Sequence, residues 1–346
     1  MEKINLFGLT IEELEKNLSD LPKFRAKQIA AQMYQKGAKN FDEMTELSKN
    51  LRAELAEKFF IDKPKLLKSQ TSEDKLTTKF LLELFDGATV EIVLMRHDYG
   101  NSICISSQVG CNMGCKFCAS TLHGLERNLT ASEMLGEVIF ANDFLRGENQ
   151  KVDTLVVMGM GEPLTNYDNL IKFLKLLHED YIFGMSYRKV TISTCGIVPA
   201  IEKLIAEKIP VTLSISLHAP NNKIRSELMP INSAFGIEKV LNAGKKYANE
   251  TGRRVTYEYI LISGVNDTEE HARQLSKILF GQLANVNLIP INPVAERNFQ
   301  RPTHNAIQKF FHFLNTHGIT ATIRKEMGKN IDAACGQLRN RNTGVL

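Results

Sequence analysis

The sequence predicts an α/β protein built as a partial (βα)6 barrel, with a small helical domain ahead of it and a β-hairpin between the two. Two observations lead there. From about residue 100, short strand-like runs alternate with longer segments whose apolar residues recur at helical spacing. That is the pattern of parallel strands joined by helical crossovers. Before that point the period is helical over residues 8–60 and strand-like over 65–97. Six strand–helix units are too few for a closed eight-unit barrel, so the barrel is expected to stay open on one side.

In chain order, Leu9-Thr10 ahead of Ile11-Glu12-Glu13-Leu14 marks a helix start. Phe24 to Tyr34 has apolar positions at helical spacing, with Gly37 as a stop signal. Phe41-Asp42-Glu43-Met44 to Phe59 adds a further helix or two, so residues 1–64 read as a helical accessory domain. Thr78 to Leu84 and Ala88 to Met95 are strand-like and meet through Asp86-Gly87, a hairpin signal, within an extension over residues 65–98. Residues 99–346 hold the barrel and a C-terminal segment, with strands expected at 152–158, 188–193, 211–217, 254–262, 285–291 and 319–324. Helices are expected near 131–146, 167–179, 197–208, 236–251, 267–280 and 304–317. No internal repeat or low-complexity stretch interrupts this order.

Composition narrows the class. The 346 residues are 43% hydrophobic and 24% charged, ordinary for a globular protein. A net charge of +4 permits a nucleic-acid partner without demanding one. Met1-Glu2-Lys3-Ile4-Asn5 lacks the apolar stretch of a signal peptide, and no apolar run reaches the roughly 18 residues of a membrane span. A cytoplasmic protein without a membrane association is expected, and a monomer, since no sizeable apolar helix face stands out.

The chemistry is concentrated in Cys111-Asn112-Met113-Gly114-Cys115-Lys116-Phe117-Cys118. Three cysteines in C-x3-C-x2-C spacing hold three irons of a 4Fe-4S cluster and leave the fourth open. Zinc wants four ligands, usually as two pairs, and no second pair follows closely. The spacing resembles that of radical S-adenosylmethionine (SAM) enzymes, in which the open iron chelates SAM. The strand ending at Val157 runs into Met158-Gly159-Met160-Gly161-Glu162-Pro163, where glycines would let a ligand approach the backbone and a carboxylate could accept from an ammonium. Ser193, Thr194, Ser214, Ser216, His218 and Asn292 lie at strand ends. Ser214, Ser216 and His218 share a face if their strand is regular. Cys104, Cys195 and Cys335 lie outside the cluster motif. Basic residues collect at Arg297, Arg301, Arg324, Lys325, Lys329, Arg339 and Arg341, with Arg25, Lys27 and Lys36 on an N-terminal helix.

Taken together, Phe24-Arg25-Ala26-Lys27-Gln28, Cys104 to Cys111, Gly159-Met160-Gly161-Glu162-Pro163, Ser216-Leu217-His218-Ala219-Pro220 and Asp332 to Leu338 resemble the bacterial dual-specificity RNA adenine-C2 methyltransferases of the RlmN type, which are radical SAM enzymes. The resemblance runs from about residue 8 to 341. It implies the following. The substrates are adenine 2503 of 23S rRNA and adenine 37 of tRNAs. Two SAM molecules are used per turnover: Cys335 takes a methyl group from the first, and a second SAM on the cluster of Cys111, Cys115 and Cys118 yields a 5'-deoxyadenosyl radical. That radical removes hydrogen from the S-methyl group, the carbon adds to C2, Glu91 accepts the C2 proton, and Cys104 releases the product by forming a disulfide with Cys335. Gly161, Glu162, Ser193, Ser216, Leu217, His218 and Asn292 contact SAM, the N-terminal helices help to hold RNA, and a flavodoxin- or ferredoxin-like protein supplies the electron. The residues add one argument: Glu91 shares a strand face with Val93 and Met95, and a carboxylate on an apolar face has a raised pKa, which suits a base. The relative that methylates C8 of the same adenine shares every mechanistic cysteine; Pro163 and Val286 to Pro290 look more like the C2 enzyme. A non-catalytic RNA-binding or iron–sulfur sensing protein on the same scaffold is the alternative of another class.

Overall fold

A computed structural model describes residues 3–292, 294, 296–325, 327, 328, 331, 333 and 336–338. The chain opens with β1 (Ile4–Asn5), α1 (Ile11–Asn17), α2 (Phe24–Tyr34) and α3 (Lys49–Lys58), and β2 (Phe59–Phe60) returns to pair in parallel with β1. Thr10 starts α1 through a capping box. Its hydroxyl accepts from the Glu13 N–H at 3.2 Å, and the Glu13 carboxylate accepts from the Thr10 N–H at 2.8 Å. α2 is held by burial of Ile29, Ala30 and Met33, each such side chain worth roughly 1.5–3 kcal/mol for the larger ones.

Next comes an antiparallel meander of β3 (Lys65–Thr71), β4 (Thr77–Glu83), β5 (Thr89–His97) and β6 (Gly100–Ile105). β7 (Gln108–Gly110) and β8 (Leu125–Asn128) form a separate antiparallel ribbon whose connection carries the cysteine motif. The alternating part follows: α4 (Ala131–Arg146), β9 (Val152–Val157), α5 (Tyr167–His178), β10 (Val190–Thr194), α6 (Val198–Ala206), β11 (Thr212–Ser216), α7 (Asn222–Leu228), α8 (Ile237–Thr251), β12 (Val255–Leu261), α9 (Glu269–Leu279), β13 (Ala284–Pro290), α10 (His304–Thr316) and β14 (Ala321–Ile323). One ten-stranded sheet has the order β14-β13-β12-β11-β10-β9-β6-β5-β4-β3. β6 and β9 to β14 are paired in parallel, and the edges β3 and β14 do not pair with each other, so the sheet stays open as expected.

Three elements depart from the sequence reading. The parallel strands begin at β6, one strand earlier than residue 152. β6 is buried on both faces while carrying Asn101, Ser102 and Cys104, so it shows neither alternation nor an apolar run. β3 is an exposed edge strand with lysines at Lys65 and Lys68, which hides its period. α7 spans seven residues behind the Asn221 cap and is too short for periodicity to reveal it. No helix among the described residues is long and apolar enough to cross a membrane.

Candidate active site

The cysteine loop is pinned before any ligand is considered. The Cys111 N–H donates to Gly124 O at 2.9 Å, the Lys116 N–H to Leu228 O at 3.0 Å, and the Cys118 N–H to Cys115 O at 3.2 Å. The Thr121 hydroxyl reaches the carbonyls of Cys115 and Cys118. α7 therefore forms the floor of the loop. Burial pushes the Cys111 thiol up to about 11, with Cys118 and Glu162 adding to the rise. Cys115 is raised further by burial, then by Cys118 and Cys111. Thiols that feel one another and are costly to ionise alone suit a cationic metal core that takes the place of their protons. Among the described residues no three ligating side chains are gathered as around a single ion. Three soft thiol donors on one loop fit a four-iron cluster.

The strand ends above the loop form a hydrogen-bonded rim. After β9, the Gly159 N–H donates to Ile105 O and the Ser107 N–H to Met160 O. A Cβ on Gly159 would meet Ile105 O at 2.6 Å, and one on Gly161, at φ +103°, would meet Gln108 Cβ at 2.6 Å. The glycines are thus demanded by packing on residues 105–108, where the sequence suggested ligand approach. Buried Glu162 accepts from Leu164 N–H at 3.0 Å through Oε1 and from Cys195 N–H at 2.7 Å through Oε2. Burial raises its pKa against the pull of these donors.

Ser193 pairs with Ser214 across β10 and β11. The Ser214 hydroxyl donates to Glu258 Oε1 at 2.6 Å, and Asn287 Nδ2 donates to Oε2 at 2.8 Å. Regular alternation ends at Ser216: Leu217 N–H and His218 N–H both donate to Glu258 O, and His218 takes φ +57°. The left-handed residue, not the strand, aims His218, contrary to the shared-face expectation. Its Nδ1 accepts from the Ile260 N–H at 3.0 Å, and its ring stands edge-on to Phe117 at 4.8 Å. Burial, then the Arg225 charge, lowers its pKa to about 3, so the ring is neutral.

Below the rim lies a cavity of about 460 Å³, lined among others by Val93, Met95, Ser102, Cys104, Cys118, Met158, Gly159, Asn292 and Arg324. That volume suits a nucleoside-sized ligand. Cys104 and Cys118 thus open into one space. The far wall includes Gly336 and Leu338. The Ala119 N–H donates to Gly336 O at 2.8 Å, and the Ser120 hydroxyl to Leu338 O at 2.6 Å. Cys335 lies outside the described residues, as do Lys329, Arg339 and Arg341. Of the seven expected SAM contacts, Asn292 lines this cavity; Gly161, Glu162, Ser193, Ser216, Leu217 and His218 occupy the ends of β9, β10 and β11.

Glu91 requires a correction. By alternation it shares a face of β5 with Val93 and Met95, but its carboxylate meets Lys79 Nζ at 3.1 Å, with both side chains buried. The environment is an ion pair, not an apolar face. Lys79, Arg225 and Glu137 are the residues sequence reasoning missed. Each carried a local signal: Lys79 heads Phe80-Leu81-Leu82, Arg225 follows Ile224 three residues before Leu228, and Glu137 sits inside Met134-Leu135-Gly136-Glu137-Val138-Ile139. Glu137 is wholly buried, accepts from the Ser106 N–H at 2.7 Å and is raised by burial well above the usual carboxylate range.

Comparison with known proteins agrees with this geometry. Residues 105–275 match the radical SAM superfamily, and residues 4–61 match the N-terminal domain of ribosomal RNA large subunit methyltransferases. A probable dual-specificity RNA methyltransferase RlmN of Symbiobacterium thermophilum is 49% identical over 96% of this chain and 91% of that protein. One from Clostridium perfringens is 47% identical over 97% of this chain and 96% of its own length. The crystal structure of a radical SAM methyltransferase from Sphaerobacter thermophilus superposes with a TM-score of 0.95 at 42% identity, covering 98% of this chain and 100% of that one.

Proposed function

The chain belongs to the RlmN-type dual-specificity RNA methyltransferases of the radical SAM superfamily, and from that membership we propose that it methylates carbon 2 of adenine 2503 in 23S rRNA and of adenine 37 in tRNAs. It is a SAM-dependent RNA methyltransferase and works with a 4Fe-4S cluster. Cys111, Cys115 and Cys118 would hold the cluster, which when bound supplies the electron that cleaves SAM and so the power to abstract hydrogen.

The observation that carries the reading is the opening of Cys104 and Cys118 into one cavity of nucleoside size. Carbon 2 of adenine is not nucleophilic, so the methyl group must first rest on a protein nucleophile, and a thiolate is suited to take it from a sulfonium by displacement. Cys335 has that role by resemblance. Once the S-methyl group has given a hydrogen atom to the SAM-derived 5'-deoxyadenosyl radical, its carbon bonds to C2 and joins Cys335 to RNA. One electron would return to the cluster, Cys104 attacks the sulfur so that the S–C bond breaks as the disulfide forms, and the released carbon takes up a proton to become the methyl group. Glu91, faced by the Lys79 ammonium, accepts the proton lost from C2. Glu162, Ser193, Ser216, Leu217, His218 and Asn292, with Gly161, orient SAM along the rim. The N-terminal helices contribute to RNA binding, a flavodoxin- or ferredoxin-type protein delivers the electron, and the enzyme works as a monomer in the cytoplasm, where its RNA is.

The test is anaerobic turnover with reconstituted cluster, SAM, reductant and a 23S rRNA fragment or tRNA, with nucleosides identified by mass spectrometry. 2-Methyladenosine is expected. 8-Methyladenosine would place the chain with the C8 enzymes, and absence of methylation with SAM still cleaved would overturn the substrate.

A further inference from the structure

Arg225 carries a charge that the described protein does not answer. It is wholly buried on α7, and its guanidinium donates to Leu217 O (3.3 Å), Asn232 Oδ1 (3.0 Å), Phe235 O (3.0 Å), Cys195 O (2.7 Å) and Ser216 O (3.3 Å). A guanidinium has five N–H donors, so none remains for a ligand. Every acceptor is neutral, and among the described residues no carboxylate reaches Arg225. Carbonyl and amide dipoles satisfy its hydrogen bonds without cancelling its charge, and such a buried cation is expensive.

Its position says what the charge serves. Ile224, Leu228 and Met229, on and just after the same helix, pack with Cys115, Phe117 and Cys195, and Leu228 O holds the Lys116 N–H. Arg225 Nη2 donates to the Cys195 carbonyl at 2.7 Å, and Cys195 belongs to the same apolar cluster against which Cys115 packs.

We propose that Arg225 is the counter-charge of the iron–sulfur cluster, a positioning residue that never touches the cluster but favours its reduced form. The proposal rests on the cluster assignment above. One-electron reduction adds a negative charge to a core already held by three thiolates, and cluster potential follows the net charge and hydrogen bonding around it. A fixed cation behind Cys115 makes that added charge easier to accept. The hydrogen bonds of Arg225 separately tie together the ends of β10 and β11.

Asn232→Asp separates the two roles. It places a carboxylate where Nη1 already donates, keeping the bonds of Arg225 while neutralising the cation, at the loss of the two bonds that Asn232 Nδ2 donates to Asn222 O and Ser226 Oγ. The wild-type protein, Asn232→Asp and Arg225→Lys are reconstituted anaerobically, assayed for iron, and titrated against dithionite at controlled potentials by electron paramagnetic resonance. In Asn232→Asp the reduced-to-oxidised ratio at a fixed potential is expected to fall about tenfold, which is about 59 mV for a one-electron couple. Arg225→Lys keeps the charge and is expected to stay within about twofold of wild type, despite a lower melting temperature. An unshifted midpoint in fully loaded Asn232→Asp would reduce Arg225 to a structural pin and overturn the proposal. Loss of iron from Asn232→Asp with full loading of a further variant, Asn232→Leu, which removes the same Nδ2 bonds without adding a carboxylate, would support it, whereas loss from Asn232→Leu or Arg225→Lys as well would reduce Arg225 to a structural pin and overturn it. Failure of the wild-type protein to take up iron would instead overturn the cluster assignment.

Discussion

The carboxylate of Glu91 and the ammonium of Lys79 meet at 3.1 Å on adjacent strands, both side chains shielded from water. Strand register sets Lys79 opposite Val93 and Leu81 opposite Glu91, so the two charges meet on the diagonal. Removing one partner takes away the buried opposite charge that the other faces. Lys79→Met is therefore expected to lower unfolding free energy by about 3–5 kcal/mol, with Lys79→Met/Glu91→Gln recovering most of it. Urea denaturation of the three proteins checks this; equal losses in the single and double variants would mean that the two charges are not coupled.

His218 predicts a pH dependence. Its folded pKa of about 3 lies below the usual value of 6.5. Between those values the unfolded state binds a proton that the folded state refuses, so stability is kept above pH 6.5 and lost as pH falls toward 3. The slope from this residue reaches at most about 1.4 kcal/mol per pH unit. His218→Gln should flatten the urea midpoint against pH within this window; an unchanged slope would remove His218 as its source.

The Gly161 backbone lies at φ +103°, where a side chain is strained, and an added Cβ would press on Gln108 at 2.6 Å. Gly161→Ala is expected to cost at least about 1–3 kcal/mol. Because Gln108 lies three residues before Cys111, iron loading should fall as well. A melting curve with an iron assay tests both.

The two cysteines outside the cluster motif should fail in different ways. Cys335→Ala is expected to yield no methylated RNA and no adduct, and Cys104→Ala to stall as a covalent RNA–protein species visible on a denaturing gel. Normal multiple turnover by Cys104→Ala would remove its resolving role.

The long helices and the strands from β9 onward are legible in the sequence because their signals are local: apolar residues repeat along α5 or α10 whatever the partner. The cysteine loop is legible for the same reason, its ligands lying within eight residues. Lys79 and Glu91 meet only through register, and what answers the guanidinium of Arg225 appears only when carbonyls from three separate segments close on it. The expectation of an apolar setting for Glu91 failed at this step, since alternation along one strand carries no information about what its neighbour presents.

In the ten-stranded sheet, every strand neighbours the one added just before it in sequence apart from the short ribbon, so assembly can proceed by accretion along the chain. The bond from Ser120 to Leu338 breaks that rule by joining residues 218 apart. Closing such a span in an unstructured chain costs about 5 kcal/mol of entropy. The cavity wall accordingly gains its last contacts only on an existing barrel, and the order of folding ends where the chemistry begins.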